Sequence, residues 1–269
     1  LGDVYKRQVS YIGLPTSVIH SLNFDQEVSR SAIGQPIGSF YAYKEDGLFQ
    51  SEAEIKSYTN NKGELLQPNA KPGDIKFVDV NGDGVIDCND RDYIGNPLPD
   101  VTAGLTLGVN FHNFDLSLFF QGMFGNDVYD LTRYVGDFYN QSQYNKNSRV
   151  VNAWTPTNTN TDIPRVTMDD PNNNIRPSSY YVQDASFVRL KNMKIGYSVP
   201  QSILSKIKFN SLYIYAQATN LFTITGYDGI DPEVGLQSYS SDYRNLDMGV
   251  DRGIYPLSRT FTFGVNVSF

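Results

Sequence analysis

The sequence predicts an all-β protein, the C-terminal part of an up-and-down transmembrane β-barrel with long extracellular loops. Three observations predict it. The last ten residues, TFTFGVNVSF, place Phe261, Phe263, Val265, Val267 and Phe269 on one face of a strand and Thr260, Thr262, Gly264, Asn266 and Ser268 on the other. The same alternation recurs upstream in segments of about 10 residues, the length that crosses a bilayer as a tilted strand. Short turns and long polar connections take turns between these segments, the asymmetry of an outer-membrane barrel.

Composition agrees without deciding. No run approaches about 18 apolar residues, so no transmembrane helix is expected; barrel strands are half polar and scarcely register in hydropathy. Tyrosine and phenylalanine number 19 and 16 against one tryptophan, a bias that suits strands and interfacial girdles. A net charge of −7 argues against nucleic acid as a partner. The single cysteine, Cys88, cannot form an internal disulfide.

Along the chain, residues 1–8 (LGDVYKRQ) fit nothing downstream and are expected to be an assembly remnant. Residues 9–100 read as a loop-rich barrel segment and residues 101–269 as barrel strands with their extracellular loops. With no initiator Met, basic region or apolar leader at its start, the chain is expected to be part of something longer. Val18 to Phe24 reads as a short strand. Ser51 and Glu54 form a capping-box pattern that predicts a short helix over Ser51 to Tyr58.

Asp79–Asp90, DVNGDGVIDCND, has the spacing of a calcium loop. Asp79, Asn81 and Asp83 would offer side-chain oxygens, Gly84 the sharp turn, Val85 its carbonyl, and Asp87 and Asp90 the later positions. Asp90 stands where the longer Glu is usual, so the loop would have to close tighter or a water fill in. A strand-like GDIKFVDV precedes it, which excludes an EF-hand. Four carboxylates in one loop repel one another without a cation; the alternative is a loop of Asx turns around Gly82 and Gly84.

Val101 to Phe111 and Phe114 to Gln121 alternate on either side of His112–Asn113 and predict a tight hairpin. Gly122 to Ala185 is a long polar connection in which Asp127 to Asn140 is expected to be helical. Its aromatics (Tyr129, Tyr134, Phe138, Tyr139, Tyr144, Trp154, Tyr180, Tyr181) are expected to pack the loop rather than stack on sugars. Ser186 to Val199 alternates with a phase slip at Lys191–Asn192, the mark of a bulge. Pro200 to Lys208 predicts a helical turn, Leu212 to Thr219 a strand running on into Asn220-Leu221-Phe222, and Thr223 to Pro256 a second long loop.

These segments, GDIKFVDVNGDGVIDCNDRDYIGNPLPD, GLTLGVNFHNFDLSLFFQGMFGND, YVQDASFVRLKNMKIGYSVP, NLFTITGYDGIDPEV and YPLSRTFTFGVNVSF, in this order, resemble the C-terminal barrel of SusC/RagA-type TonB-dependent outer-membrane receptors. The resemblance implies that the chain supplies about six strands of a plugged barrel of about 22. It implies location in the outer membrane, import of oligosaccharides or peptides, a SusD-like surface lipoprotein as partner, and energy from the TonB complex through a part not in this chain. Phe261, Phe263, Val265, Val267 and Phe269 would then be the signal read by the barrel-assembly machinery.

No enzyme constellation is present: the two histidines, His20 and His112, lie far apart, and no nucleophile elbow or phosphate loop occurs. Cys88 lies among carboxylates that disfavour its thiolate. The alternative to a transporter segment is a secreted β-domain, stabilised by calcium and binding carbohydrate, in which the apolar faces would form a core.

Overall fold

The computed structural model describes residues 8–11, 18–23, 26–139, 145–207, 209–235 and 248–269. Its first strands are β1 (Val18–Asn23), β2 (Gln26–Ser31), β3 (Ser39–Tyr43), β4 (Glu45–Leu48), β5 (Ile75–Phe77) and β6 (Arg91–Gly95), with helix α1 (Glu52–Ser57) before β5. Next come β7 (Val101–Phe111), β8 (Phe114–Phe124), β9 (Asp127–Asp130), helix α2 (Thr132–Gly136), β10 (Val182–Asp184) and β11 (Phe187–Ser198). Helix α3 (Gln201–Ile207) is followed by β12 (Ser211–Thr219), β13 (Thr223–Thr225), β14 (Val250–Asp251) and β15 (Thr260–Ser268). The fold is all-β, and its sheets are not closed on themselves. No described helix is long and apolar enough to cross a membrane.

The chain divides into two compact units. One collects residues 1–98, 127–183 and 234–253, so the long connection after β8 folds with the first third of the chain. Its strands form a sheet in the order β1-β2-β3-β6, a β4-β5 pair and a small β10-β9-β14 sheet. Its core gathers Phe40, Ile75, Phe77, Tyr129, Trp154 and Tyr181, residues 141 positions apart at the extremes. Gln8 and Val9 bridge Pro36 and Ile33.

The other unit is the antiparallel sheet β7-β8-β11-β12-β15, with β13 added beside β11. The five long strands stand in the sheet in their order along the chain, as in an up-and-down wall. The β7–β8 hairpin closes through His112 and Asn113, opposite the Phe111–Phe114 pair, with His112 at φ 53°. The bulge falls where the phase slip places it: Leu190 pairs with Phe120, Asn192 with Phe119, and Lys191 is the extra residue.

Three local expectations are corrected. Asp127 to Asn140 is not one helix: Asp127–Asp130 pairs as strand β9, and only Thr132–Gly136 is helical; Asn140 lies outside the described residues. Asp130 ends β9, and its carboxylate accepts Thr132 N–H (3.0 Å) in a local turn just before the helix. The strand from Leu212 does not run on to Phe222. It stops at Thr219, Asn220 turns left-handed (φ 52°), and the chain resumes as β13 against the other end of β11. The capping box at α1 is half present. Ser51 accepts Glu54 N–H (3.2 Å), but the Glu54 carboxylate takes Gln50 N–H (2.7 Å) instead of Ser51 N–H.

Candidate functional site

The feature with functional geometry in the second unit is the two-faced sheet. Register aligns the alternation of all five long strands. One face carries Leu107, Leu118, Met193, Ala218 and Phe261 in one row and Val109, Leu116, Ile195, Ala216 and Phe263 in the next. The opposite face carries Thr106, Phe119, Asn192, Thr219 and Thr260, then Gly108, Ser117, Lys194, Gln217 and Thr262. A one-residue slip in any strand would mix the faces, so the register of each strand enforces the others. The apolar face is open: Leu105 is 55% exposed and Phe263 80%. In water such a face would be a liability; facing hydrocarbon it is at its lowest free energy.

On the polar face, near the short-turn end, one side chain ties three strands together. Tyr213 on β12 reaches over β11 and donates to Asp115 on β8 (2.9 Å). It can do so because the residue beneath is Gly196; a Cβ there would fall onto the Tyr213 hydroxyl. Tyr215 lies over Gly264 of β15 in the same way and stacks on Tyr213 at 5.8 Å. Lys194 Nζ sits 5.0 Å from both rings. Glycine weakens a strand, and an aromatic laid across it restores the lost contact.

At the long-loop end, the buried Arg189 of β11 anchors the following loop. Its guanidinium donates to Asp231 (2.6 Å), Glu233 (2.9 Å) and Thr223 Oγ1 (2.8 Å), and Lys191 adds a second donor to Glu233 (2.9 Å). Asp231 also accepts Leu257 N–H (3.1 Å), which ties the segment before β15 to the same point. Burial raises the Asp231 carboxyl, but the Glu233 N–H, Arg189 and the Leu257 N–H outweigh it and hold the group below its ordinary value. Sequence reading passed over this site. The signal in the sequence was the close spacing of Asp228, Asp231 and Glu233.

The acidic loop of the first unit is held by its own backbone. Asp79 accepts Gly82 N–H (2.8 Å) and Gly84 N–H (2.9 Å), Asn81 accepts Asp83 N–H (2.8 Å), and Asp83 accepts Val85 N–H (2.9 Å). Asp87 accepts Asn89 N–H (2.7 Å) and starts a turn of 3-10 helix over Cys88–Asp90. Asp90 is fully buried and takes Val80 N–H (2.9 Å) and Asp87 N–H (2.7 Å). These are the oxygen donors calcium prefers. Yet among the described residues no three carboxylate, His or Cys side chains stand close enough together to hold a metal. The loop in this form is a nest of Asx turns. Cys88 and His112 are both exposed.

The aromatics of the long connection pack, as expected. Tyr129, Phe138, Trp154, Tyr180 and Tyr181 are buried, with Tyr129 stacked on Tyr181 at 5.3 Å; Tyr144 lies outside the described residues. Burial raises the hydroxyl pKa of Tyr181 and Tyr129 well above its ordinary value. Gly73, at φ 89°, leaves room that the Trp154 ring fills. Beside this core the Asn-rich stretch 170–174 makes a buried polar lattice. Asp74 pairs with Arg165 (2.6 Å) and accepts Asn174 Nδ2 (2.9 Å). Asn174 Oδ1 in turn accepts Ile75 N–H (2.8 Å), and Gln67 bridges Ile75 O (3.0 Å) and Asn172 Oδ1 (2.9 Å). Side-chain amides there do what a neighbouring strand would otherwise do for β5.

Comparison with known proteins follows the same outline. No family model matches the chain. TonB-dependent receptor P3 of Formosa agariphila is 37% identical over 93% of this chain and 24% of its own length. TonB-dependent receptor SusC of Bacteroides thetaiotaomicron is 27% identical over 90% of this chain and 20% of its own. Among solved structures, the RagAB peptide importer in its open-open state matches 97% of this chain and 25% of that chain, with a TM-score of 0.69 and 22% identity. The closed-closed state gives 0.66 with 25% identity. This chain thus spans about a quarter or less of the relatives it matches. Over that extent the chain is similar to TonB-dependent receptors, SusC among them, and shares its fold with the RagAB importer.

Proposed function

We propose that the five long strands are a stretch of outer-membrane barrel wall in a receptor that imports oligosaccharides or peptides. The protein is a transporter and not an enzyme. A TonB complex supplies the energy, and a SusD-like surface lipoprotein is the partner at the outer face. The observation that carries this reading is the continuous, exposed apolar face of the sheet, backed by a continuous polar one. The sandwich alternative needs that face to be a core, whereas its side chains stand open. An open sheet leaves edge N–H and C=O groups that cannot stay unpaired in lipid, so β7 and β15 need further strands beside them. Cells carrying the full-length receptor should take up a labelled peptide or oligosaccharide mixture only while TonB is intact. Equal uptake without TonB would overturn the reading.

Phe261, Phe263, Val265, Val267 and Phe269 serve in this reading as the signal for the barrel-assembly machinery. We also propose that Asp79, Asn81, Asp83, Val85, Asp87 and Asp90 take up a calcium ion. The motif spacing and the all-oxygen donor set support it. Binding would draw Asp79, Asp83 and Asp87 together and relieve their mutual repulsion. Calorimetry on the full-length receptor should record calcium uptake that Asp83→Ala removes; an identical trace for both proteins would contradict it.

A further inference from the structure

Strand β13 has β11 on one side and, among the described residues, no strand on the other. An antiparallel strand turns alternate residues toward each of its neighbours. Leu190 N–H donates to Phe222 O (3.1 Å), and the register pairs Val188 with Ile224, so Phe222 and Ile224 face β11. Thr223 and Thr225 therefore turn their backbone N–H and C=O the other way, where they meet no backbone partner among the described residues. The β12–β15 ladder stops at Thr219 opposite Thr260, where Asn220 turns left-handed (φ 52°), and residues 255–259 do not pair with β13.

The gap so left is a cavity of about 590 Å³ within the second unit, bounded by β13, residues 229–232 and residues 255–259. Its apolar walls, Phe222, Ile230, Tyr255 and Leu257, are all exposed. Its charged groups are not equivalent. Arg189 is taken up by Asp231, Glu233 and Thr223 Oγ1, and Asp231 also accepts the Glu233 and Leu257 N–H groups. Arg259 lines the same cavity with no ion pair or hydrogen bond of its side chain among the described residues. It stands at the Thr223 end, because Asn220 Nδ2 donates to the neighbouring Ser258 O (3.1 Å).

An open strand edge is completed by another strand, exposed apolar walls by side chains, and an unpaired guanidinium by a carboxylate. An extended peptide with a free C-terminus brings all three. A sugar brings no strand backbone and no carboxylate.

We propose that this slot binds the C-terminal residues of an extended peptide, which adds to β13 as an antiparallel strand. The last residue stands opposite Thr223, with its N–H on Thr223 O and its carboxylate between Thr223 N–H and Arg259. The residue two before it stands opposite Thr225. The inference rests on the reading of the protein as an importer and narrows its cargo to peptides with a free C-terminus. Binding is measured on purified receptor without TonB, so the two readings fail separately.

The test is calorimetry on the full-length receptor in detergent, with trivaline as probe. Trivaline should bind, and its C-terminal amide should bind about fivefold more weakly or worse. Methylating the nitrogen of the last valine removes the donor to Thr223 O and should cost a similar factor. Arg259→Gln should weaken trivaline and leave the amide unchanged. Equal affinity for trivaline and its amide overturns the proposal without reliance on any variant, and so does equal affinity for the N-methylated peptide. Undiminished trivaline binding by Arg259→Gln, or no trivaline binding at all, overturns it too. Binding of maltotriose in place of trivaline would make the slot a sugar site and do the same.

Discussion

Arg189 is 2% exposed and donates to Asp231, Glu233 and Thr223. Removing one member of a buried pair strands the other, so Arg189→Met should destabilise the loop around Asp231 by about 3 kcal/mol or more. Native-state hydrogen exchange of residues 229–233 would show it, and unchanged protection would refute it. The same group fixes a pH dependence. The folded Asp231 carboxyl lies below its ordinary value, so its contribution is complete above the unfolded pKa and drains away as pH falls through the folded one. Protection of that loop, corrected for intrinsic exchange, should therefore fall on acidification within the acid range of carboxylates and not near neutrality. Asp231→Asn should remove the dependence. None of this was legible in sequence, because an Arg at a polar strand position reads as a solvated side chain until the loop that covers it is placed. The acidic loop was legible as a motif but not as a geometry: the same spacing that could hold an ion also closes Asx turns on Gly82 and Gly84.

At the scale of elements, the five long strands were read well because each was long and, apart from the bulge in β11, alternating. The hairpin turn, the bulge at Lys191 and the helical turn after Val199 followed from local rules. The short strands β3, β4, β9 and β13 did not, since three to five residues carry no reliable period and their pairing comes from distant segments. Their partners show this: β9 takes β14 across more than a hundred residues. The buried polar lattice around Asp74 and Asn174 was hidden for a related reason, as an Asn-rich stretch reads as loop wherever its amides end up. Glycine in β11 and β15 is where an element-scale prediction belongs. Gly264→Val places a branched side chain under the Tyr215 ring and should force the ring off its strand. Folding yield of the full-length barrel in detergent micelles should drop, while the same change at Gly108, where nothing lies within reach of a Cβ, should be mild. Equal yields for the two would remove the tyrosines from the account of how the wall is held.

For the whole molecule, what matters is which side of the sheet meets lipid. The direction of each side chain is set by strand parity, parity by register, and register by four interlocked ladders. The decisive measurement is a matched pair of arginine substitutions in the full-length receptor, read out by heat-modifiable membrane insertion and by equilibrium folding into lipid vesicles. Arg at Leu107 or Phe263 should cost about 2–4 kcal/mol near the bilayer midplane, whereas Arg at Thr106 or Thr262 should cost far less. If Phe269 is read by the assembly machinery, as proposed, deleting it in the same assay should lower insertion in cells without a matching loss in vesicles. If arginine is tolerated equally on both faces, the apolar face does not meet lipid, and the assignment of this sheet to a membrane wall is wrong.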